Sequence, residues 1–210
     1  MSSEPVVFIV DDDPSIRRAL SRLFETENIS TVLYPSAQDF LAAYDPRRPG
    51  CLLVDVRMPG VSGLELQERL VEQGVALPII LMTAYADVPS SVRAMKAGAV
   101  DFVEKPFNEQ KLLEAVHNAF NRDSQMRKDR RTQDVMLGRL SMLTTRERQV
   151  LEQVVAGKTN RQIADEWGVS EKTIKVHRGR VMQKMKADSL PQLVLMAHAA
   201  GIHTTKVVPE

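Results

Sequence analysis

Cys51-Leu52-Leu53-Val54-Asp55 is an apolar run that ends on a carboxylate. It reads as a buried strand, and a charged group at the end of such a strand needs partners. The chain supplies them. Asp11 and Asp12 follow Val6-Val7-Phe8-Ile9-Val10, Thr83 follows Ile79-Ile80-Leu81-Met82, and Lys105 comes directly after Asp101-Phe102-Val103-Glu104. Each polar group closes a short run rich in β-branched residues, and helix-like sequence separates the runs, which is the pattern of a parallel sheet crossed by helices. Such sheets bind ligands outside the carboxyl ends of their strands. Three acids, a hydroxyl and an amine are therefore expected to converge at one rim.

Outward from that stretch, Asp13-Pro14 offers an N-cap and a first-turn proline for a helix to about Glu27, followed by a weaker strand over Thr31 to Tyr34. Ser36 caps a short helix ending near Tyr44, and Asp45-Pro46-Arg47-Arg48-Pro49-Gly50 is a turn cluster. Ser62-Gly63-Leu64-Glu65 is a capping box for a helix to about Gln73. Helices over Val88 to Ala97 and Asn108 to about Asp123 complete five βα units, a doubly wound α/β fold with strand order 2-1-3-4-5. Ser124 to Leu140 is polar and extends the last helix as a connector. Beyond it only helices are expected, over Thr145 to Ala156, Asn160 to Trp167, Ser170 to Met185 and Leu190 to Ala200, giving a small all-α domain. The expected division is 1–123, a linker at 124–140, a second domain at 141–204 and a tail at 205–210.

The 210 residues are 43% hydrophobic and 26% charged, an ordinary globular composition for one or two domains. Cys51 is the only cysteine, so no intrachain disulfide can form. No apolar stretch reaches membrane-span length and Glu4 with Asp11 to Asp13 spoils a signal-peptide reading, so the cytoplasm is expected. The net charge of +1 conceals an asymmetry. Residues 1–123 hold twelve Lys/Arg against eighteen Asp/Glu, a balance of −6, and residues 124–210 hold sixteen against nine, a balance of +7. The basic half is expected to face a polyanion.

Asp11, Asp12 and Asp55 side by side imply a hard cation, most simply Mg²⁺. Asp55 is then placed to attack a phosphoryl donor, with Lys105 neutralising the transferred oxygens and Thr83 bonding one of them. Residues 5–122 resemble a CheY-like receiver domain of a bacterial response regulator. The resemblance rests on Asp11-Asp12, Asp55-Val56-Arg57-Met58-Pro59-Gly60 with Gly63, Thr83-Ala84, Ala97-Gly98-Ala99 and Lys105-Pro106-Phe107. It implies that a histidine kinase phosphorylates Asp55, that Asp11, Asp12 and Asp55 bind Mg²⁺ with the backbone carbonyl of Arg57, that the Lys105-Pro106 bond is cis, and that Phe102 is the aromatic switch residue. Asp13 is explained as a helix cap and is not assigned to the metal.

In the basic half, Ile163, Trp167, Val169, Ile174, Val181 and Met185 fall on the inward side of two helices, with Gly168 at the sharp turn between them. Lys172, Thr173, Lys175, Val176, Arg178, Arg180 and Lys184 lie outside that stripe, where cations reach phosphates and a helix fits the major groove. Leu143-Thr144-Thr145-Arg146-Glu147, Asn160, Ile163-Ala164, Gly168-Val169-Ser170 and Thr173-Ile174-Lys175-Val176-His177 resemble the LuxR-type output domain, and the whole chain resembles a FixJ/NarL-type response regulator. The resemblance makes Lys172, Thr173, Lys175, Val176 and Arg178 the expected DNA contacts, with Trp167 and Gly179 departing from the usual pattern. His177 is read as packed, and Met182, Met185 and Met196 as core or dimer surface.

The implied partners are a histidine kinase, double-stranded DNA, a second copy of the chain after phosphorylation and, as a further candidate, RNA polymerase. Dimerisation is expected through the fourth helix, fifth strand and fifth helix of the first domain and through Leu190 to Ala200 of the second. Two rivals stand beside this reading. Asp11-Asp12-Asp13-Pro14-Ser15 nearly matches the nucleophile loop of haloacid dehalogenase-type phosphatases, with Ser15 breaking the pattern. A phosphorelay adaptor whose α domain binds protein is the other.

Overall fold

The computed structural model describes residues 4–84 and 98–202. They form two compact units, Met1–Arg127 and Lys128–Glu210. The expected helix at Val88 to Ala97 and the tail from 205 lie outside the described residues.

The first unit is built on five parallel strands in the order β2-β1-β3-β4-β5. They are β1 (Val6–Val10), β2 (Ser30–Tyr34), β3 (Gly50–Asp55), β4 (Ile79–Thr83) and β5 (Asp101–Glu104). Every residue of β1, β3 and β4 is buried, whereas β2 and β5, at the edges, are only partly covered. That difference explains why the three inner strands read as unbroken apolar runs and β2 as a weak signal. Side chains alternate across the sheet and sort into two cores. Val6, Phe8, Val10, Leu52, Val54 and Leu81 face one side, against α2 (Ala37–Ala43) and α3 (Gly63–Glu72). Val7, Ile9, Cys51, Leu53, Ile80 and Met82 face the other, against Leu20 and Phe24 of α1 (Pro14–Thr26) and Leu112, Ala115, Val116 and Ala119 of α4 (Glu109–Ser141).

The expected caps are in place. The Asp13 carboxylate accepts from the Ser15 amide with Pro14 in the first turn of α1, and Ser62 with Glu65 forms the reciprocal capping box of α3. Asp123, buried near the middle of α4, accepts from the Gly50 amide at 3.0 Å. Arg127 one turn on donates to Asp123 and to the carbonyls of Pro46, Arg47 and Arg48, which ties α4 to the segment leading into β3. The expected connector is the second half of α4, 33 residues without a break.

The second unit contains α5 (Thr145–Val155), α6 (Asn160–Trp167), α7 (Glu171–Met185) and α8 (Leu190–Ala199). Thr144, Thr159, Ser170 and Ser189 each cap the helix that follows, so Ser170 is a cap and not a helical residue. Val150, Leu151, Val154, Ile163, Ile174, Val181, Met185, Leu193 and Ala197 make one core that also takes in Leu140 from the end of α4. Trp167, Val169, Met182 and Met196 pack against it partly buried. Long cations are spent inside this unit. Lys184 donates to the buried Glu147 at 2.6 Å, and Arg139 to the Met185 carbonyl at 2.9 Å.

Candidate functional site

At the carboxyl rim of the sheet, strand register aligns the expected groups. Val10 pairs with Val54, Asp55 with Met82 and Thr83 with Glu104, so Asp11, Asp55, Thr83 and Lys105 leave adjacent strands at nearly one level. The Lys105 amide donates to the Thr83 carbonyl at 2.7 Å, and the Lys105-Pro106 bond is cis. The Lys105 ammonium donates to Asp11 Oδ2 at 2.7 Å and to Asp55 Oδ2 at 2.8 Å. One cation thus joins two acids whose strands are 44 residues apart in sequence.

The electrostatics follow from burial. Burial raises the Asp11 carboxyl above its ordinary range, against the lowering effect of Lys105. Burial alone would push the Lys105 ammonium down, but the two carboxylates outweigh it and hold the group above its ordinary value. Asp11 is fully buried, Asp55 is 9% exposed, Thr83 is buried and Asp12 is open to solvent.

Carboxylate oxygens of Asp11, Asp12 and Asp55 all lie within 4.8 Å of one another. Three hard oxygen donors, one of them open to solvent, are the donor set that Mg²⁺ takes while keeping several of its waters. The Arg57 amide donates to Asp55 Oδ1 at 3.3 Å, which folds the residue after next back toward the same carboxylate. Gly63 makes that fold possible, since a Cβ there would lie 2.3 Å from the Asp55 carbonyl oxygen. Phe102 is half-buried against the core on the α2/α3 side of the sheet. Asp13 is occupied as a cap, and its bonds from Ser15 hold its carboxyl low. Sequence reasoning passed over Arg17, which donates from α1 to the Asp11 carbonyl and so holds the loop carrying Asp11 and Asp12. Its i+6 spacing from Asp11 carries no signal of its own.

In the second unit, α6 ends at Gly168, whose φ of +64° is left-handed, and the Val169 amide donates to the Ala164 carbonyl as the chain turns into α7. Ile174, Val181 and Met185 bury one face of α7. Lys172, Thr173, Lys175 and Val176 are exposed on the other, Val176 at 48%. The Thr173 hydroxyl lies 2.9 Å from that of Ser170 at the cap. Arg178 is half-buried and donates to Asn160 Oδ1 at 2.7 Å, so this expected DNA contact points partly back into its own fold. Gly179 has no atom beyond its chain neighbours and its own helix backbone within 4 Å of where a Cβ would stand. Trp167 carries the Arg146 guanidinium 3.7 Å above its ring.

Comparison with known proteins assigns a family to each of the two units. Residues 7–117 match the response regulator receiver domain family, and residues 141–197 match the luxR family of bacterial regulatory proteins. The chain is 43% identical to nodulation protein W of Bradyrhizobium diazoefficiens over 96% of its own length and 88% of the relative's. It is 43% identical to the transcriptional regulatory protein FixJ of Azorhizobium caulinodans, with 93% of each chain covered. Among solved structures, the response regulator StyR matches with a TM-score of 0.83 and 44% identity, covering 93% of this chain and 99% of that one. Full-length FixJ from B. japonicum matches with a TM-score of 0.56 and 38% identity, over 95% and 98%.

Proposed function

The chain belongs to the FixJ/NarL-type response regulators, phosphorylation-dependent transcription factors of two-component systems, and from that premise we propose that Asp55 is its phosphoacceptor and α7 its DNA-reading helix. The phosphatase and adaptor readings give way to this membership. The observation that carries the assignment of Asp55 is the Lys105 ammonium held between Asp11 and Asp55.

In the proposed reaction an Asp55 oxygen attacks the phosphorus of a phosphohistidine on the partner kinase. The O–P bond forms, the P–N bond breaks, and the electron pair of that bond stays on the imidazole nitrogen. Lys105 exchanges part of its carboxylate contact for a phosphoryl oxygen, and the Thr83 hydroxyl donates to another. Asp11, Asp12, Asp55 and the Arg57 carbonyl are the groups that would hold Mg²⁺, which when bound supplies positive charge against the phosphoryl oxygens. Hydrolysis of the aspartyl phosphate by water then resets the chain, a self-limiting reaction and not turnover of an external substrate.

The output is proposed to pass through Thr83 and Phe102, the hydroxyl drawn to the phosphoryl group and the ring turning inward. The surface so reshaped would pair two copies, although the expected helix at Val88 to Ala97, which would form part of it, falls outside the described residues. In the second unit α8 leaves Leu190 and Leu195 exposed, at 43% and 70%, and is proposed as the second dimer contact. Lys172, Thr173, Lys175 and Val176 are proposed to meet DNA, with Arg178 beside them, and RNA polymerase remains a candidate partner of the bound dimer. A cytoplasmic location is proposed; no described helix is long and apolar enough to cross a membrane.

The test is incorporation of label from radioactive acetyl phosphate with Mg²⁺ present. One stoichiometric, hydroxylamine-sensitive label is expected, absent from Asp55→Asn. Unchanged labelling of that variant would overturn the assignment.

A further inference from the structure

Arg178 stands in the middle of the helix that the proposed function lays into DNA, yet its Nη1 donates to Asn160 Oδ1, eighteen residues back. Asn160 is the first residue of α6, directly after the Thr159 cap, and both side chains are half-buried. The bond therefore joins the start of the first helix of the helix-turn-helix to the centre of the second. Elsewhere the two helices meet through the Gly168 turn and through Ile163, Ala164 and Ile174 of the shared core, from the middle of α6 onward and in the first turn of α7. Apolar packing alone leaves a helix free to roll and slide by fractions of an ångström, whereas a charge-assisted hydrogen bond fixes donor and acceptor in distance and direction. Base-edge recognition is sensitive to such small displacements.

Resting on the reading of α7 as the DNA-facing helix, we propose that Arg178 is a positioning residue whose bond to Asn160 fixes how α6 and α7 cross, and so sets how well the chain tells one DNA sequence from another. Arg178 then acts through Asn160 and not by reading a base. The face offered to the bases is carried by Lys172, Lys175 and Val176, which are exposed.

The experiment uses the full chain, treated with acetyl phosphate, on two probes: a duplex that the unaltered chain selects from a random-sequence pool, and a scrambled duplex of the same length. Arg178→Met keeps the apolar stem and removes the guanidinium, Asn160→Ala removes the acceptor without changing charge, and the double variant closes the cycle. Each single variant is expected to lose about tenfold affinity for the selected duplex, the scale of a lost hydrogen bond to a charged group. The double variant should lose no more than the worse single. Asn160→Ala should keep its affinity for the scrambled duplex and its salt slope, so that discrimination falls while the phosphate-driven part of binding stands. Additive losses, equal losses on both duplexes, or a wild-type discrimination ratio in Asn160→Ala would overturn the proposal. Should Arg178→Met fold poorly, as followed by Trp167 emission, Asn160→Ala carries the test through its discrimination ratio. Lys175→Ala separates the two readings: it should lower the salt slope by about one. Wild-type binding by that variant would overturn α7 as the DNA-facing helix, whereas the expected lower salt slope in Lys175→Ala together with additive Arg178 and Asn160 effects overturns the brace alone.

Discussion

At the scale of the residue, both units place a lysine against carboxylates, with different consequences. Lys105 sits between Asp11 and Asp55, and its removal would take away the ammonium that the two carboxylates share. Lys105→Met is expected to slow labelling from acetyl phosphate about a hundredfold, the scale of losing one preorganised donor at a developing charge. Labelling at the wild-type rate would exclude Lys105 from the chemistry. Lys184 in the second unit serves Glu147, whose carboxyl is held below its ordinary 4.5 by Lys184 first and by the Thr144 amide next. A carboxyl with a lower value folded than unfolded stabilises the fold above its unfolded value and loses that contribution as pH falls through the folded one. Urea midpoints followed by Trp167 emission, the chain's one tryptophan, should therefore fall as pH drops below about 4.5, and Glu147→Gln should flatten that dependence. Asp11 and Asp55 were legible as a pair because each closes an apolar run. The Glu147–Lys184 pair was not, since 37 residues separate its members and no hydrophobic period or cap links them.

At the scale of the element, the described strands and helices lie close to where hydrophobic period and cap residues put them. β4 spans Ile79–Thr83 and β5 Asp101–Glu104 as expected, and the caps at Asp13, Ser36 and Ser62 all hold. Gly63 and Gly168 are needed for different reasons. Gly63 is needed for space, and Gly63→Ala should cost about 1–3 kcal/mol in the unfolding of the first unit while shifting the Asp55 backbone and slowing labelling. Gly168 is needed for its left-handed backbone, with nothing near a would-be Cβ. Gly168→Ala should cost about 1–2 kcal/mol, seen as a lower urea midpoint of the Trp167 transition, and D-Ala introduced there by semisynthesis should not.

At the scale of the whole molecule, the charge balance of −6 and +7 on either side of residue 123 agrees with a receiver at one end and a nucleic-acid-binding module at the other. Affinity for duplex DNA should fall on the order of a hundredfold between about 50 and 200 mM salt if about four phosphates are neutralised, and an unchanged affinity would mean that the basic half faces something else. The sequence by itself determined the five parallel strands, the small helical domain after them, and the acids, hydroxyl and lysine at the strand ends. Each of these is written in local terms, by the period of the apolar residues, by caps and by the position of a polar group at the end of a run. Only the tertiary structure decided where the long side chains go. Arg178 turns to Asn160, Lys184 to Glu147, Arg17 to the Asp11 carbonyl and Arg127 to the turn before β3. Helical period tells which face such a residue occupies. Whether a flexible cation then reaches water, DNA or an acceptor elsewhere in the fold depends on which acceptor packing has brought within about 3 Å and stripped of its water.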